Sequence, residues 1–181
     1  MTIVNSKSSI VDRHSVLSLD PSSTVVGWSV MASATRLIGA GLITPAIHSE
    51  PSYGRICGMR HDLRDLLDEQ QPATILIEWT RGKVGKRHHG RGAGLAVYGC
   101  GVGAMATECE HWSETHPAAV VPIFENDWTR GVPKRDRQLA IASLFDQYRV
   151  GDDPGGDMAD AIGLAVWWFR QRNLFEKVGD L

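Results

Sequence analysis

The sequence predicts a mixed α/β fold, and three observations carry that expectation. Short apolar runs bounded by turn residues or carboxylates read as strands at 16–19, 25–31, 36–43, 74–78 and 119–124. Segments with apolar residues at helical spacing lie between and after them. The order is three strands, a helix, a strand, a helix, a strand and then helices, which is a mixed order for one domain. At 181 residues the chain has room for one domain with a proper core and not for two ordinary ones. That domain is expected over 15–175, with 1–14 as a loose polar arm.

Each element has its own justification. Val16, Leu17 and Leu19 suit a buried central strand, and Asp20 ends the run. Pro21 has no N–H for a ladder, so the strand stops there. Ser22, Ser23 and Thr24 supply turn chemistry, and the next strand is broken by Gly27. The run 36–43 completes an antiparallel meander. Residues 44–53, with Pro45 and Pro51, form a loop. From 54 onwards Ile56, Met59, Leu63, Leu66 and Leu67 mark one helical face, which Gln71-Pro72 ends. The short strand 74–78 closes on Glu78. Residues 81–91 carry Arg81, Lys83, Lys86, Arg87 and Arg91 without an acid, and are expected to form a mobile basic loop.

The stretch 91–112 is rich in Gly and Ala, so a helix there needs close packing against a sheet or a partner. Pro122 points to an edge position or a strand end for 119–124. A helix is expected over 134–148, with Leu139, Ile141, Ala142, Leu144 and Phe145 on its apolar side. A flexible turn follows at 151–156. The last helix, 157–172, is apolar nearly all round and should be buried.

Composition narrows the setting. A hydrophobic content of 43% and a charged content of 22% are those of a soluble globular protein. A net charge of −2 gives no global attraction to nucleic acid, so such binding would rest on local patches. Cys57, Cys100 and Cys109 show no CxxC spacing and read as free thiols in a reducing compartment. No apolar run approaches the ~18 residues that span a bilayer. Residues 1–14 lack the apolar core of a signal peptide. A cytoplasmic location without membrane attachment is the expectation.

Four carboxylates stand out. Asp20 and Glu78 each end an apolar strand, and Asp157 and Asp160 open the last helix one turn apart on one face. Helix capping is the ordinary role of such aspartates. Their coincidence with two strand-terminal acids favours a cation site instead, because four converging carboxylates repel unless a divalent ion sits between them. All-oxygen ligands suit Mg²⁺ or Mn²⁺. Two ions roughly 3.5–4 Å apart can clamp the attacking and leaving oxygens of a phosphodiester. Cys100, Cys109, His111 and His116 also cluster, but on one helix the two cysteines lie roughly 180° apart. Their spacing matches no common zinc pattern.

With these residues in view, Leu19-Asp20-Pro21-Ser22-Ser23 and Val26-Gly27-Trp28 resemble the first motif of RuvC-type Holliday-junction resolvases, nucleases of the ribonuclease H-like superfamily. Ile75-Leu76-Ile77-Glu78 resembles the second motif. The segment from Gly156 through Asp157-Met158-Ala159-Asp160-Ala161 to Ala165 resembles the last, in the right order. The resemblance spans 16–169. It implies a ribonuclease H-like fold with a five-stranded mixed sheet flanked by helices. It also implies Asp20, Glu78, Asp157 and Asp160 as catalytic, metal-binding acids holding two Mg²⁺ ions, with Mn²⁺ as the other candidate. The implied partners are branched, four-way DNA and a second copy of the chain, and the implied activity is paired nicking. The resemblance further sets Lys134 near the scissile phosphate.

Two features depart from the family pattern. Where the family often carries a base-stacking aromatic after the second acid, this chain has Arg81, and Trp79 is the nearby aromatic. The basic loop is also unusually rich in charge and glycine, as a divergent or phage-type member would be. Arg81, Lys83, Lys86, Arg87, Arg91, Arg130, Lys134 and Arg135 are the expected DNA contacts, through phosphate neutralisation. Trp128 reads as buried in preference to base-stacking. The Gly/Ala-rich helix is the candidate dimer seam, with packing onto its own sheet as the rival role. Rival functions are a ribonuclease H-like nuclease acting on RNA or flaps, and a junction-binding protein without catalysis. An actin-like or sugar-kinase fragment needs a duplicated domain for which the chain has no room.

Overall fold

β1 (Val16–Pro21) lies at the centre of the sheet. The computed structural model describes residues 15–46, 51–80 and 92–179. Along one edge β1 pairs antiparallel with β2 (Val26–Ser33), which pairs antiparallel with β3 (Arg36–Ile43). Along its other edge β1 pairs parallel with β4 (Thr74–Trp79), which pairs parallel with β5 (Ala119–Phe124). The strand order is β3-β2-β1-β4-β5, the mixed five-stranded sheet the sequence leads one to expect. Pro122 indeed falls on an edge strand, where its missing N–H breaks no outer ladder.

The two-residue period of the strands sorts the core into two layers. Leu17, Leu19, Ile75 and Ile77 pack on one face against α1 (Ser52–Gln70) and α2 (Gly92–Ser113). Val16, Leu76 and Ile123 pack on the other against α4 (Lys134–Leu144) and α5 (Asp157–Gly179). The short α3 (Glu125–Thr129) follows β5 directly. The same alternation sends Ser18, Asp20 and Glu78 to the α5 side.

All five apolar residues expected on α1 are buried. The helix starts at Ser52, with Pro51 at the N-cap, two residues before the expected start. It ends where expected, with Gln71 left-handed at φ 41° and its N–H on the Leu67 carbonyl. On α2 the residues Val102, Met105, Cys109 and Trp112 are buried at helical spacing, whereas Cys100 is exposed. Arg60 and Arg64 of α1 pair with the buried Glu108 of α2, and the Trp112 indole donates to Asp68 at 2.7 Å. Small residues therefore do not leave this helix loose.

Three expectations are corrected beyond the sheet. The helix expected over 134–148 stops at Leu144, and Phe145 is extended at φ −134°. Leu139 and Leu144 are 50% and 52% exposed, so neither lies on a buried face. Tyr148 leaves the helical path to donate its hydroxyl to Asp153 Oδ2 at 2.9 Å. The turn expected to be flexible at 151–156 instead holds a 3₁₀ turn, Val150–Asp152, and the fully buried Asp153. Asp153 accepts from the N–H groups of Met158 and Ala159, satisfying the first turn of α5, and Gln138 donates to its carbonyl. Finally, α5 runs on to Gly179, past the expected 172. Among the described residues, no helix is long and apolar enough to cross a membrane.

Candidate active site

Asp20 and Glu78 lie near the ends of neighbouring parallel strands. The N-terminus of α5 reaches them because Gly27, which pairs with Asp20 across β1–β2, has no side chain. A Cβ on Gly27 would lie 2.0 Å from the Asp157 carbonyl oxygen. Deeper in the sheet, the buried Ser18 hydroxyl donates to the Ala161 carbonyl at 2.6 Å and lies 2.6 Å from Ser29 Oγ. It ties β1 and β2 to α5. With Asp153 taking the capping role, Asp157 and Asp160 are left facing the strand ends.

Lys134, the first residue of α4, reaches into this cluster. Its Nζ lies 2.6 Å from Asp157 Oδ1, 3.1 Å from Asp160 Oδ2 and 3.5 Å from Asp20 Oδ2. The side chain passes over Gly156, whose φ is +76° and where a Cβ would meet Lys134 Cε at 2.9 Å. Arg137, one turn further along α4, grips Asp160 with Nε and Nη2, each at 2.7 Å from a carboxylate oxygen. Its guanidinium lies 5.2 Å from the ring centroid of Trp128, whose Nε1 donates to Glu78 Oε2 at 2.8 Å. A continuous chain of contacts thus runs Glu78–Trp128–Arg137–Asp160.

The electrostatics follow from crowding acids at the edge of a core. Burial holds the Asp20 carboxyl well above the usual carboxylate range, and the charge of Glu78 adds to this while Lys134 opposes it. Burial also pushes Glu78 up to about 7, with Asp160 and Glu125 adding, and the Trp128 hydrogen bond and Lys134 opposing. At Lys134 burial acts downwards, but the charges of Asp20 and Asp160 and the bond to Asp157 more than offset it, so its pKa is raised. Tyr98 of α2 also feels this centre. Burial pushes its hydroxyl up to about 12, and the charges of Asp20, Glu78 and Glu125 add to that.

The donor set is all carboxylate oxygen, and an ammonium already stands among three of its members. That chemistry fits a hard divalent cation. As the side chains stand, no three His, Cys, Asp or Glu among the described residues form a ready metal-binding group. Lys134 fills the space between the aspartates, so cation binding requires it to withdraw.

Asp20, Asp157 and Asp160 are therefore brought together around Lys134, and Glu78 joins them through Trp128 and Arg137. Lys134 is committed to carboxylates, where the sequence reading has it facing a phosphate. Arg130 and Arg135 are exposed. Arg81, Lys83, Lys86, Arg87 and Arg91 lie outside the described residues. Trp128 is buried at 9% exposure. Arg137 belongs by sequence to a basic group with Arg130, Lys134 and Arg135 at a helix start, but only the structure shows it gripping Asp160 from the same helical face as Lys134. The sequence reading passes over Tyr98 and Asp153, for which no local motif gives a signal.

This sheet, with helices on both faces and acids at the ends of its central strands, has the ribonuclease H-like fold in its RuvC form. The structure of T. thermophilus RuvC in complex with Holliday junction substrate is similar to it with a TM-score of 0.65 at 15% sequence identity, covering 88% of this chain and 95% of that one. A second Thermus thermophilus RuvC structure gives 0.63 at 16% identity, covering 87% and 95%. No family model and no curated protein sequence matches the chain.

Proposed function

We propose that this protein is a divalent-metal-dependent endonuclease that resolves four-way DNA junctions by paired nicks. The observation that carries the reading is the gathering of Asp20, Asp157 and Asp160 around one ammonium, with Glu78 tied to Asp160 through Trp128 and Arg137. The likeness in fold to a RuvC structure described as holding a Holliday junction substrate supports the choice of DNA over other phosphodiesters.

In this proposal Asp20, Glu78, Asp157 and Asp160 hold two Mg²⁺ ions, with Mn²⁺ able to replace them. When bound, such a pair supplies Lewis acidity at the phosphodiester and a hydroxide nucleophile at neutral pH. The chain's own residues do the rest. Burial raises the pKa of Asp20 and Glu78, so a bound cation would be what holds them ionised. Trp128 and Arg137 fix the orientation of Glu78 and Asp160. Lys134, once displaced from the aspartates, is close enough to neutralise a phosphate oxygen. Arg130 and Arg135, with the basic residues of 81–91, contribute sequence-independent phosphate contacts. Two opposed nicks require two such centres, so the acting species is a homodimer. The exposed small residues of α2 (Gly94, Ala96 and Gly99) make that helix the proposed seam.

The test is a cleavage assay on a synthetic four-way junction with and without Mg²⁺, mapping both nicks. Symmetric, ligatable nicks leaving 5′-phosphates are expected, together with loss of cleavage in Asp20→Asn. Metal-dependent nicking that persists in Asp20→Asn would remove the catalytic assignment. Preference for an RNA hybrid or a flap would reassign the substrate. Tight junction binding without any cleavage would leave a binding protein.

A further inference from the structure

Trp128 and Arg137 also line a cleft of about 420 Å³ between α3, α4 and α5. That is within the roughly 300–1,000 Å³ range of ligand sites. Its lining combines Trp128, Trp167, Val132 and Leu144 with the guanidinium-bearing Arg130 and Arg170. Val132 and Leu144 are 44% and 52% exposed, so apolar surface stands open to solvent beside two exposed cations. No acidic residue lines the cleft among the described residues. The Nε1 of Trp167 is buried and has no acceptor among the described residues.

From these features we infer that the cleft is a nucleotide subsite, taking one unpaired nucleotide of a DNA strand. The half-buried Trp167, with the exposed Val132 and Leu144, offers an aromatic and aliphatic wall to the base, and stacking on tryptophan tolerates any base. Arg130 and Arg170 offer counter-charge to the flanking phosphates. The inference rests on the nuclease reading for its substrate, and it adds a place where a strand leaving the cleavage centre is held. Because Trp128 and Arg137 wall the cleft and also orient Glu78 and Asp160, a seated nucleotide touches the residues that brace the carboxylates.

The experiment uses a single-stranded oligonucleotide carrying 2-aminopurine, with the full-length protein in the absence of divalent metal. Seating the base against tryptophan should quench the probe. Ala140→Trp fills the cleft from an exposed position, and Arg170→Glu reverses one exposed charge. The expected result is lost quenching and about tenfold weaker binding for Ala140→Trp. For Arg170→Glu, weaker binding with a salt dependence flatter by about one counterion is expected. Thermal melting of each variant checks that the fold is kept.

Quenching and affinity unchanged in both folded variants overturn the subsite. So does displacement of the oligonucleotide by a simple apolar anion such as octanoate at equal concentration, which would make the cleft a lipid-like site. Junction cleavage by the unaltered protein with Mg²⁺, and its loss in Asp20→Asn, test the nuclease reading separately. Cleavage with unaffected quenching leaves the nuclease and removes the subsite, whereas cleft-dependent quenching without cleavage keeps the subsite and removes the nuclease.

Discussion

The indole of Trp128 donates to Glu78 at 2.8 Å while the guanidinium of Arg137 lies 5.2 Å from the same ring and grips Asp160. One side chain thus steadies an acid from β4 and touches the residue that steadies an acid from α5. Trp128→Phe removes the N–H and keeps an aromatic ring. Because that hydrogen bond lowers the Glu78 pKa, its loss raises the pKa further. Under the proposed nuclease function, junction cleavage is expected to fall about tenfold, the scale on which loss of a hydrogen bond to a metal ligand acts. The acid limb of its pH–rate profile should move to higher pH. A lower rate with an unmoved limb would show that Trp128 acts through packing alone.

Lys134 competes with any cation for three aspartates. Lys134→Met removes the competitor and leaves the acids facing one another. Mn²⁺ is expected to bind more tightly to this variant by isothermal calorimetry. The metal-free protein should lose roughly 1–3 kcal/mol of stability, a figure kept low because Lys134 is 38% exposed. Weaker Mn²⁺ binding would show that the lysine organises the acids for the ion and does not exclude it.

Acidity should control the metal-free fold through Glu78. Its pKa rises from 4.5 to about 7 on folding, chiefly through burial, so between those values the folded state holds more protons than the unfolded one. The corresponding stability is complete below 4.5 and is lost as pH climbs through about 7. Thermal midpoints of metal-free protein should therefore decline across that interval, and Glu78→Gln should flatten the decline. Asp20, raised in the same way, adds in the same direction. A midpoint that rises across the interval would contradict the burial of these acids.

Gly27 is the narrowest point between sheet and helix. Gly27→Ala places a methyl 2.0 Å from the Asp157 carbonyl oxygen, where the three nearest atoms are all backbone. The start of α5 must then move. A loss of roughly 1–3 kcal/mol or more is expected from denaturant unfolding. Divalent cation should no longer raise the melting temperature, because Asp157 shifts away from Asp20.

The five strands are legible in the sequence because each is a short apolar run closed by a proline, a carboxylate or a turn. The nearness of Asp20 and Glu78 to one another is legible for the same reason, since each carboxylate closes an apolar run and so sits at the lip of a strand. The short span of α4 is not legible, because Leu139 and Leu144 keep helical periodicity while lying on an exposed side. Nothing local reveals that Tyr148 turns aside to meet Asp153, which is a tertiary bond. The role of Asp153 is hidden likewise. Among Asp152, Asp153 and Asp157, the choice of cap depends on which carboxylate the fold buries, and only Asp153 is fully enclosed. Trp128 and Arg137 escape because their partners, Glu78 and Asp160, are 50 and 23 positions away.

Ser18 places a hydroxyl in the middle of a strand otherwise made of core residues, and spends it on a helix carbonyl 143 positions later. A helix resting only on grease can slide or roll among nearly equal packings. One residue of slippage would turn α5 by about 100° and carry both its aspartates away from β1. The hydroxyl works as an indexing pin, so the alignment of the acids is set two positions upstream of Asp20, inside the core and away from solvent.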